Sequence, residues 1–136
     1  MKGRVLTFII IAALGIGILT YYDILGSQKT VVVKAHYMQY ACGDDNIDMN
    51  VIDVSDTTFS DLVGKDISPE SRMFTQNRLV DFVDKRTIAW QNGTVKTKDY
   101  ILVGYIRKSL RRHCSGAVCF KVKEVKLDSE NEFTRF

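Results

Sequence analysis

The chain has 136 residues and a formal net charge of +3, and it contains neither an internal repeat nor a low-complexity stretch. Once its apolar N-terminal segment is set aside, its length suffices for one domain with one core and excludes a second domain of similar size within these residues. The small net charge conceals an asymmetry, because residues 30–66 carry a balance of −5 and residues 96–126 a balance of +7. Two interpretations follow: solvated faces that partly neutralise each other, or a basic patch for an anionic partner.

The segment Val5–Tyr22 is 18 residues long, apolar and uncharged. A helix of that length covers roughly the ~30 Å hydrocarbon core of a bilayer. Lys2 and Arg4 precede the segment, and basic residues before an apolar run favour retention of that end in the cytoplasm. The sequence therefore predicts a single-pass anchor in the inner or plasma membrane, with everything after Asp23 extracytoplasmic, in the periplasm. A cleaved signal peptide and a buried core helix are the alternatives.

Three strands are predicted after a short tether. Thr30–Cys42 alternates and is rich in β-branched and aromatic residues, which favours a strand. The turn residues 43–46 separate it from a second strand, Ile47–Val54, so the two form a predicted hairpin. Phe59–Ile67 is predicted as a third, shorter strand.

A helix is predicted after the third strand. Ser68 is a favourable N-cap, Pro69 suits the first helical position, and Glu70 suits the positive end of the helix dipole. Apolar residues recur at near-helical spacing as far as Asp84, so the helix is predicted over Pro69–Asp84 with one apolar face.

The remaining predicted strands surround a strong turn signal. Residues 87–95 contain Asn92-Gly93, a dipeptide typical of tight hairpin turns, so a hairpin is predicted there. Asp99–Arg107 is apolar on both sides and is therefore predicted to be central in the sheet. Ala117–Leu127 is the last predicted strand, with a bulge where its apolar phase changes after Val122. Residues 128–136 show no pattern, which predicts a flexible tail.

The predicted order of elements indicates a fold class. Three strands, a helix and two or three further strands are the order of the OB-fold, a small five-stranded barrel with its helix between the third and fourth strands. We therefore expect an N-terminal transmembrane helix followed by an OB-fold-like, mainly-β domain of five or six strands. Another small β-barrel with one helix, or an open α+β sheet covered by one helix, is an alternative. The predicted segments are residues 1–4, a cytoplasmic n-region; 5–22, the anchor or uncleaved signal; 23–29, the tether; 30–127, the β domain; and 128–136, the tail.

Two stretches resemble the thermonuclease-like nucleases, which have an OB fold. Residues 50–53, Asn-Val-Ile-Asp, with Asp56-Thr57, are similar to the turn around that family's first metal-binding carboxylate, and residues 69–75 resemble the start of its helix. The family's Asp-Gly-Asp-Thr motif is broken here to Asp53-Val54-Ser55-Asp56-Thr57, and its paired arginines and glutamate base have no clear counterparts. The resemblance implies the fold, and its departures argue against nuclease activity.

A basic segment follows the predicted central strand. In a nucleic-acid-binding OB domain such a segment would follow the phosphates while aromatic side chains stack on bases. The predicted location outside the cytoplasm makes nucleic acid an unfavoured partner, so contact with anionic lipid or an anionic envelope polymer is the functional alternative to a solvated loop. The candidate binding residues are Arg107, Lys108, Arg111, Arg112 and His113, with Tyr37 and Tyr105 as aromatic partners.

The chain has three cysteines, Cys42, Cys114 and Cys119, which are the disulfide candidates. In an oxidising compartment two of them are expected to bond and to leave the third free. Cys114 and Cys119 flank a short turn and could form a local bridge, whereas a bond from Cys42 would close a far longer loop. The sequence leaves the partner open, but Cys114, which is beside Arg112 and is expected to exchange most readily, is predicted to be one of the two bonded cysteines. No Cys or His pair has short zinc-binding spacing, so no metal site is predicted.

No catalytic residue is predicted, because His36 and His113 have no neighbouring nucleophile in the sequence. No cofactor is predicted either. The sequence favours a non-catalytic, membrane-anchored binding or accessory protein of the cell envelope that recognises a protein partner or an anionic envelope polymer. An OB-type hydrolase of phosphodiesters or glycans is the alternative, by fold analogy alone.

Overall fold

The structure is a computed structural model that describes residues 2–25, 29–38, 47–71, 74–106 and 118–136. In the first of these ranges only the side chains of residues 3–18 are described. Two α-helices, six strands and a short 3-10 helix form the described part of the chain. In chain order they are α1 (Lys2–Leu25), β1 (Val31–Met38), β2 (Asp48–Val54), the 3-10 helix (Thr57–Leu62), β3 (Asp66–Glu70), α2 (Gln76–Gln91), β4 (Asp99–Ile106), β5 (Val118–Leu127) and β6 (Thr134–Arg135).

The N-terminal helix α1 contains the predicted apolar segment. Helical structure satisfies the backbone groups of such a segment internally, and Thr7 Oγ1 also donates a hydrogen bond to the Gly3 carbonyl at 2.8 Å. All side chains of residues 3–18 are exposed, including Phe8 at 77% and Ile11 at 62%. Within the described residues, no helix combines the length and the apolar character needed to cross a membrane. The single-pass anchor therefore stays a prediction.

The six strands form one sheet in the order β3-β2-β1-β4-β5-β6. Consecutive strands in this order are antiparallel, and an additional parallel pairing joins β3 to β5. This pairing makes a closed ring of five strands, β1-β2-β3-β5-β4, in which β4 returns to β1. The prediction of a small, mainly-β domain is confirmed, and β4 lies between β1 and β5, as predicted for the central strand.

The core fills the inside of the ring. Val31, Val33 and Ala35 on β1 are buried, whereas the residues between them are at least partly exposed. Strands with one buried face dictate this period of two. Helix α2 adds its own apolar face to the core, including Leu79 and Phe82. The core therefore lies between the inner face of the sheet and one side of α2.

The predicted start of the helix is wrong. Ser68, Pro69 and Glu70 belong to β3, and α2 begins only at Gln76. The Ser68 hydroxyl donates to the Ile47 carbonyl at 3.4 Å instead of capping a helix. Pro69 has no N–H to donate, and it is accommodated in β3 because the pairing with β2 ends at Ile67. Burial of Ser68 and Pro69, together with the parallel pairing of this stretch with β5, outweighs its local helix-start signals. The predicted third strand is also displaced, because the 3-10 helix occupies residues 57–62.

The prediction of a hairpin at Asn92-Gly93 is also wrong. Helix α2 continues to Gln91, and the Asn92 N–H donates to the Ile88 carbonyl at 3.0 Å. Gly93 then adopts a φ of +74°, the left-handed conformation that commonly terminates a helix. Asn-Gly favours this conformation at helix termini and in hairpins alike. Here the left-handed residue terminates α2 and does not connect two strands.

The predicted bulge in the last strand is confirmed. The register between β4 and β5 shifts because Gly104 faces Val122 and Val103 faces Glu124, which leaves Lys123 as the extra residue. At this point the two backbones approach so closely that a Cβ atom on Gly104 would lie 1.9 Å from the Lys121 carbonyl oxygen. Only glycine fits at position 104 without movement of the backbone.

The C-terminal nine residues differ from the patternless tail that the sequence predicts. Thr134 and Arg135 pair with β5 as β6. The Phe136 ring packs edge-on against Phe82 of α2, with 5.9 Å between ring centroids, and joins the core. This contact joins residues 54 positions apart and has no local signal in the sequence.

Candidate functional site

The register of β1 defines two ends of the ring. Val31, at the start of β1, pairs with Gly104 near the end of β4, whereas His36 pairs with Asp99 at the start of β4. Five residue steps separate Val31 from His36 along β1, so the two ends lie about 17–20 Å apart. We call the end where the chain from α1 enters β1 the tether end and the opposite end the distal end. The tether end comprises Lys29, Thr30, Val32, Ser55, Asp56, Tyr105 and Lys123; the distal end comprises His36, Tyr37, Trp90, Lys98 and Asp99.

An ion pair fixes the chain at the tether end before β1 begins. Lys29 Nζ lies 2.5 Å from Asp56 Oδ2. The Asp56 carboxylate also accepts a hydrogen bond from the Thr58 N–H at 2.9 Å and so caps the 3-10 helix. The hydrogen bond from Lys29 is the main cause of a pKa for Asp56 well below the usual value of an aspartate. We call this contact the Lys29–Asp56 clamp.

Backbone contacts reinforce the clamp. The Ser55 N–H donates to the Val32 carbonyl at 2.9 Å, and the Val32 N–H donates to Ser55 Oγ at 3.2 Å. The residues that lead into β1 are therefore held against the residues that follow β2. This arrangement fixes where the chain from α1 meets the ring.

A lysine, a tyrosine and an exposed valine lie at the tether end. Lys123 Nζ lies 5.6 Å from the centroid of the Tyr105 ring and donates to Thr30 Oγ1 at 3.1 Å. No carboxylate of the described residues forms an ion pair with Lys123. Val32 is 37% exposed. Together these residues present one positive charge beside apolar and aromatic surface.

The distal end carries a different set of contacts. His36 Nδ1 lies 2.6 Å from Asp99 Oδ1, and both side chains are partly exposed. The Tyr37 N–H donates to the Lys98 carbonyl at 3.0 Å, and Lys98 Nζ lies 4.3 Å above the Trp90 ring. A histidine held by a carboxylate has one ring nitrogen oriented by its partner, which can serve proton transfer or simple pairing of charge.

The predicted basic residues Arg107, Lys108, Arg111, Arg112 and His113 lie outside the described residues. The strand that precedes them, β4, ends at Ile106, at the tether end of the ring. The segment that contains these residues therefore follows the ring at the end where the chain from α1 enters. Their role in binding stays a prediction.

The two predicted aromatic partners lie far apart. Tyr37 is at the distal end, half-buried, and burial is the main cause of a raised pKa of its phenol, with smaller contributions from Asp84 and Asp48. Tyr105 is at the tether end beside Lys123. Because about 20 Å of strand separates the two rings, they do not form one stacking surface.

Of the three cysteines, the described residues include only Cys119, which lies opposite Ser68 in the pairing of β5 with β3. Cys42 and Cys114 lie outside the described residues, so the disulfide and its pairing stay predictions.

The carboxylates that resemble those of thermonuclease-like nucleases have structural contacts. Asp53 Oδ1 accepts a hydrogen bond from the Val54 N–H at 2.9 Å, and Asp56 forms the clamp. Residues 69 and 70, which resemble the start of that family's helix, lie in β3 instead. Among the described side chains, no group of three or more His, Cys, Asp or Glu could hold a metal ion.

Sequence reasoning missed the clamp, Lys123 and the His36–Asp99 pair. Asp56 followed by Thr57 and Thr58 is a recognisable N-cap signal for the 3-10 helix. The other contacts depend on strand register between distant residues, and no local pattern encodes them.

No protein-family model, no curated protein and no solved structure matches the chain.

Proposed function

We propose that the chain is a membrane-anchored, non-catalytic binding or accessory protein of the cell envelope, with its β domain on the extracytoplasmic side. The observation that supports this proposal most is that the large apolar side chains of α1 are exposed on all sides of the helix. Burial of each such side chain is worth about 1.5–3 kcal/mol, so a helix of this kind is unfavourable in water and favourable in lipid. The exposed residues are Val5, Leu6, Phe8, Ile9, Ile10, Ile11, Leu14, Ile16 and Ile18.

We assign the β domain to the OB type within this proposal. The ring order β1-β2-β3-β5-β4 and the position of α2 between β3 and β4 support the assignment. An OB domain is a binding scaffold in many proteins, but the fold alone does not identify a ligand.

The proposed partner is an anionic envelope polymer or a protein with an acidic surface. The balance of +7 over residues 96–126 supports an anionic partner, and most of that charge falls in the basic segment after Ile106. A hydrolase has less support, because Asp53 and Asp56 are engaged with backbone N–H groups and with Lys29.

Crosslinking in intact cells, followed by purification of the full chain from membranes, tests the proposal. We expect a crosslinked partner that is lost in the Arg111→Glu, Arg112→Glu double variant. Lys65→Glu with Lys85→Glu is the matched control, since it makes the same change of charge at two exposed lysines elsewhere. Equal capture by both double variants would contradict the basic-segment proposal. Recovery of only free chain, together with hydrolysis of a phosphodiester or glycan by the purified protein, would overturn the non-catalytic function.

A further inference from the structure

We propose that the tether end of the β domain rests on the headgroup layer of the membrane that α1 enters, with Val32, Tyr105 and Lys123 as lipid-contacting side chains. The proposal rests on the proposed function, because it needs α1 in the membrane. It adds an orientation of the domain and a specific contact surface.

Chain length limits how far the tether end can lie from α1. Helix α1 ends at Leu25 and the clamp holds Lys29, so only four Cα–Cα steps join them. Even a fully extended chain spans at most about 14 Å over four steps. The polar layer on each side of a bilayer is roughly 5–8 Å thick. The domain therefore stays within reach of the headgroups for as long as the clamp holds.

The clamp selects the end that faces the membrane. Lys29 is fixed to Asp56, and the Ser55–Val32 hydrogen bonds hold the start of β1 against the end of β2. The tether therefore has no slack from the residues after Lys29. The domain is thus attached by one end, and the distal end lies about 20 Å further along the strands.

The side chains at the tether end fit the chemistry of a membrane interface. Tyrosine places its apolar ring and its hydroxyl at the boundary between hydrocarbon and water. A lysine without a carboxylate partner among the described residues is attracted to the phosphates of anionic lipids. The exposed side chain of Val32 adds apolar surface beside them.

Fluorescence quenching by lipids that carry a nitroxide in the headgroup region tests this orientation. The chain has one tryptophan, Trp90, which lies at the distal end, so the wild-type chain reports on that end. Tyr105→Trp in a Trp90→Phe background reports on the tether end. Both full-length chains are reconstituted into vesicles of phosphatidylcholine and phosphatidylglycerol, and flotation with the vesicles measures insertion of α1 independently of docking.

We expect strong quenching at position 105 and weak quenching at Trp90. Lys123→Gln in the Tyr105→Trp background should lower the docking equilibrium about fivefold, the effect of one basic residue near an anionic surface. Lys98→Gln at the distal end is the matched control and should leave quenching unchanged. Thermal unfolding of each variant verifies that the β domain is folded.

Two outcomes distinguish the docking surface from the membrane anchor. If the chains float with the vesicles but position 105 is quenched no more than Trp90, the docking surface is wrong and the anchor stands. If the folded chains do not float, the proposed function fails, and the docking surface fails with it.

Discussion

The two helices of this chain have opposite relations to the ring of strands. Helix α2 buries one face, where Leu79 and Val83 lie against the core, and leaves the other face to solvent. Helix α1 is apolar around its circumference, and its described side chains are all exposed. The comparison shows that apolar content alone does not place a helix in a core. A core helix needs an apolar stripe that matches one surface, whereas an all-round apolar helix needs a surrounding solvent that is itself apolar.

The largest expected difference between the helices is in stability. Leu79→Ala on α2 should lower the free energy of unfolding by about 2–5 kcal/mol, because it removes buried methyl groups and leaves a cavity. Leu14→Ala on α1 removes the same atoms from an exposed position and should change it by less than about 0.5 kcal/mol. Denaturant unfolding of the β domain in full-length chains held in detergent micelles measures both. Equal losses would mean that α1 packs on the ring.

The second prediction concerns the compartment in which the β domain is proposed to lie. If that compartment is oxidising, two of the three cysteines form a disulfide that includes Cys114, and Cys114→Ser should lower the free energy of unfolding by about 2–4 kcal/mol. Thiol titration of the denatured, unreduced protein from its native membrane should find one free cysteine per chain. Three free thiols would show that the domain is not in an oxidising compartment.

Substitution of a glycine in α1 and of a glycine that ends α2 should give a smaller difference in the free energy of unfolding. Gly93 ends α2 with a φ of +74° and has open space around its Cβ position, so Gly93→Ala strains only the backbone. We expect a loss of about 1–2 kcal/mol in the free energy of unfolding. Gly17 in α1 also has open space around it, and Gly17→Ala should leave unfolding of the β domain unchanged. A thermal shift of similar size in both variants would contradict the separation of α1 from the domain.

The smallest expected effect is the pH dependence of the stability that the Lys29–Asp56 clamp contributes. Because Lys29 lowers the pKa of Asp56 in the folded state, the contribution of Asp56 to stability is complete above its unfolded pKa, about 3.9. It is lost progressively as the pH falls below that value. The stability difference between the wild type and Asp56→Asn should therefore shrink between neutral pH and pH about 2.

The Asp61→Asn variant is the control, since Asp61 is exposed and lies 3.7 Å from Lys65. Unfolding measured across the same pH range should show no comparable change in its difference from the wild type. A constant difference for Asp56→Asn would show that the clamp does not form.

Periodic segments of this sequence could be predicted well. β1 alternates, β4 is apolar on both sides, and the apolar phase of β5 changes at its bulge, so each has a local signal for its structure and place. Short sequence patterns that fit two kinds of local structure were assigned to the wrong one. Ser68-Pro69-Glu70 fits a helix start in isolation, but its pairing with β5 makes it a strand. Asn92-Gly93 favours a left-handed residue, and that preference fits a helix end as well as a hairpin.

The candidate site was less predictable than the fold, for a physical reason. Lys29 and Asp56 are 27 positions apart, and His36 and Asp99 are 63 apart, so each contact exists only because the register of the ring brings its members together. The basic character of residues 107–113 is visible in the sequence, but composition alone does not show which end of the ring the segment follows. That information comes from the pairing of Val31 with Gly104.

The most direct test of the account is a dual reporter fused after Phe136 of the full chain. One half is a phosphatase that is active only outside the cytoplasm, and the other is a fluorescent protein that matures only inside it. The account predicts phosphatase activity in the membrane fraction without fluorescence, and loss of both membrane retention and phosphatase activity in Leu14→Arg. Fluorescence without phosphatase activity would contradict the proposed location of the β domain.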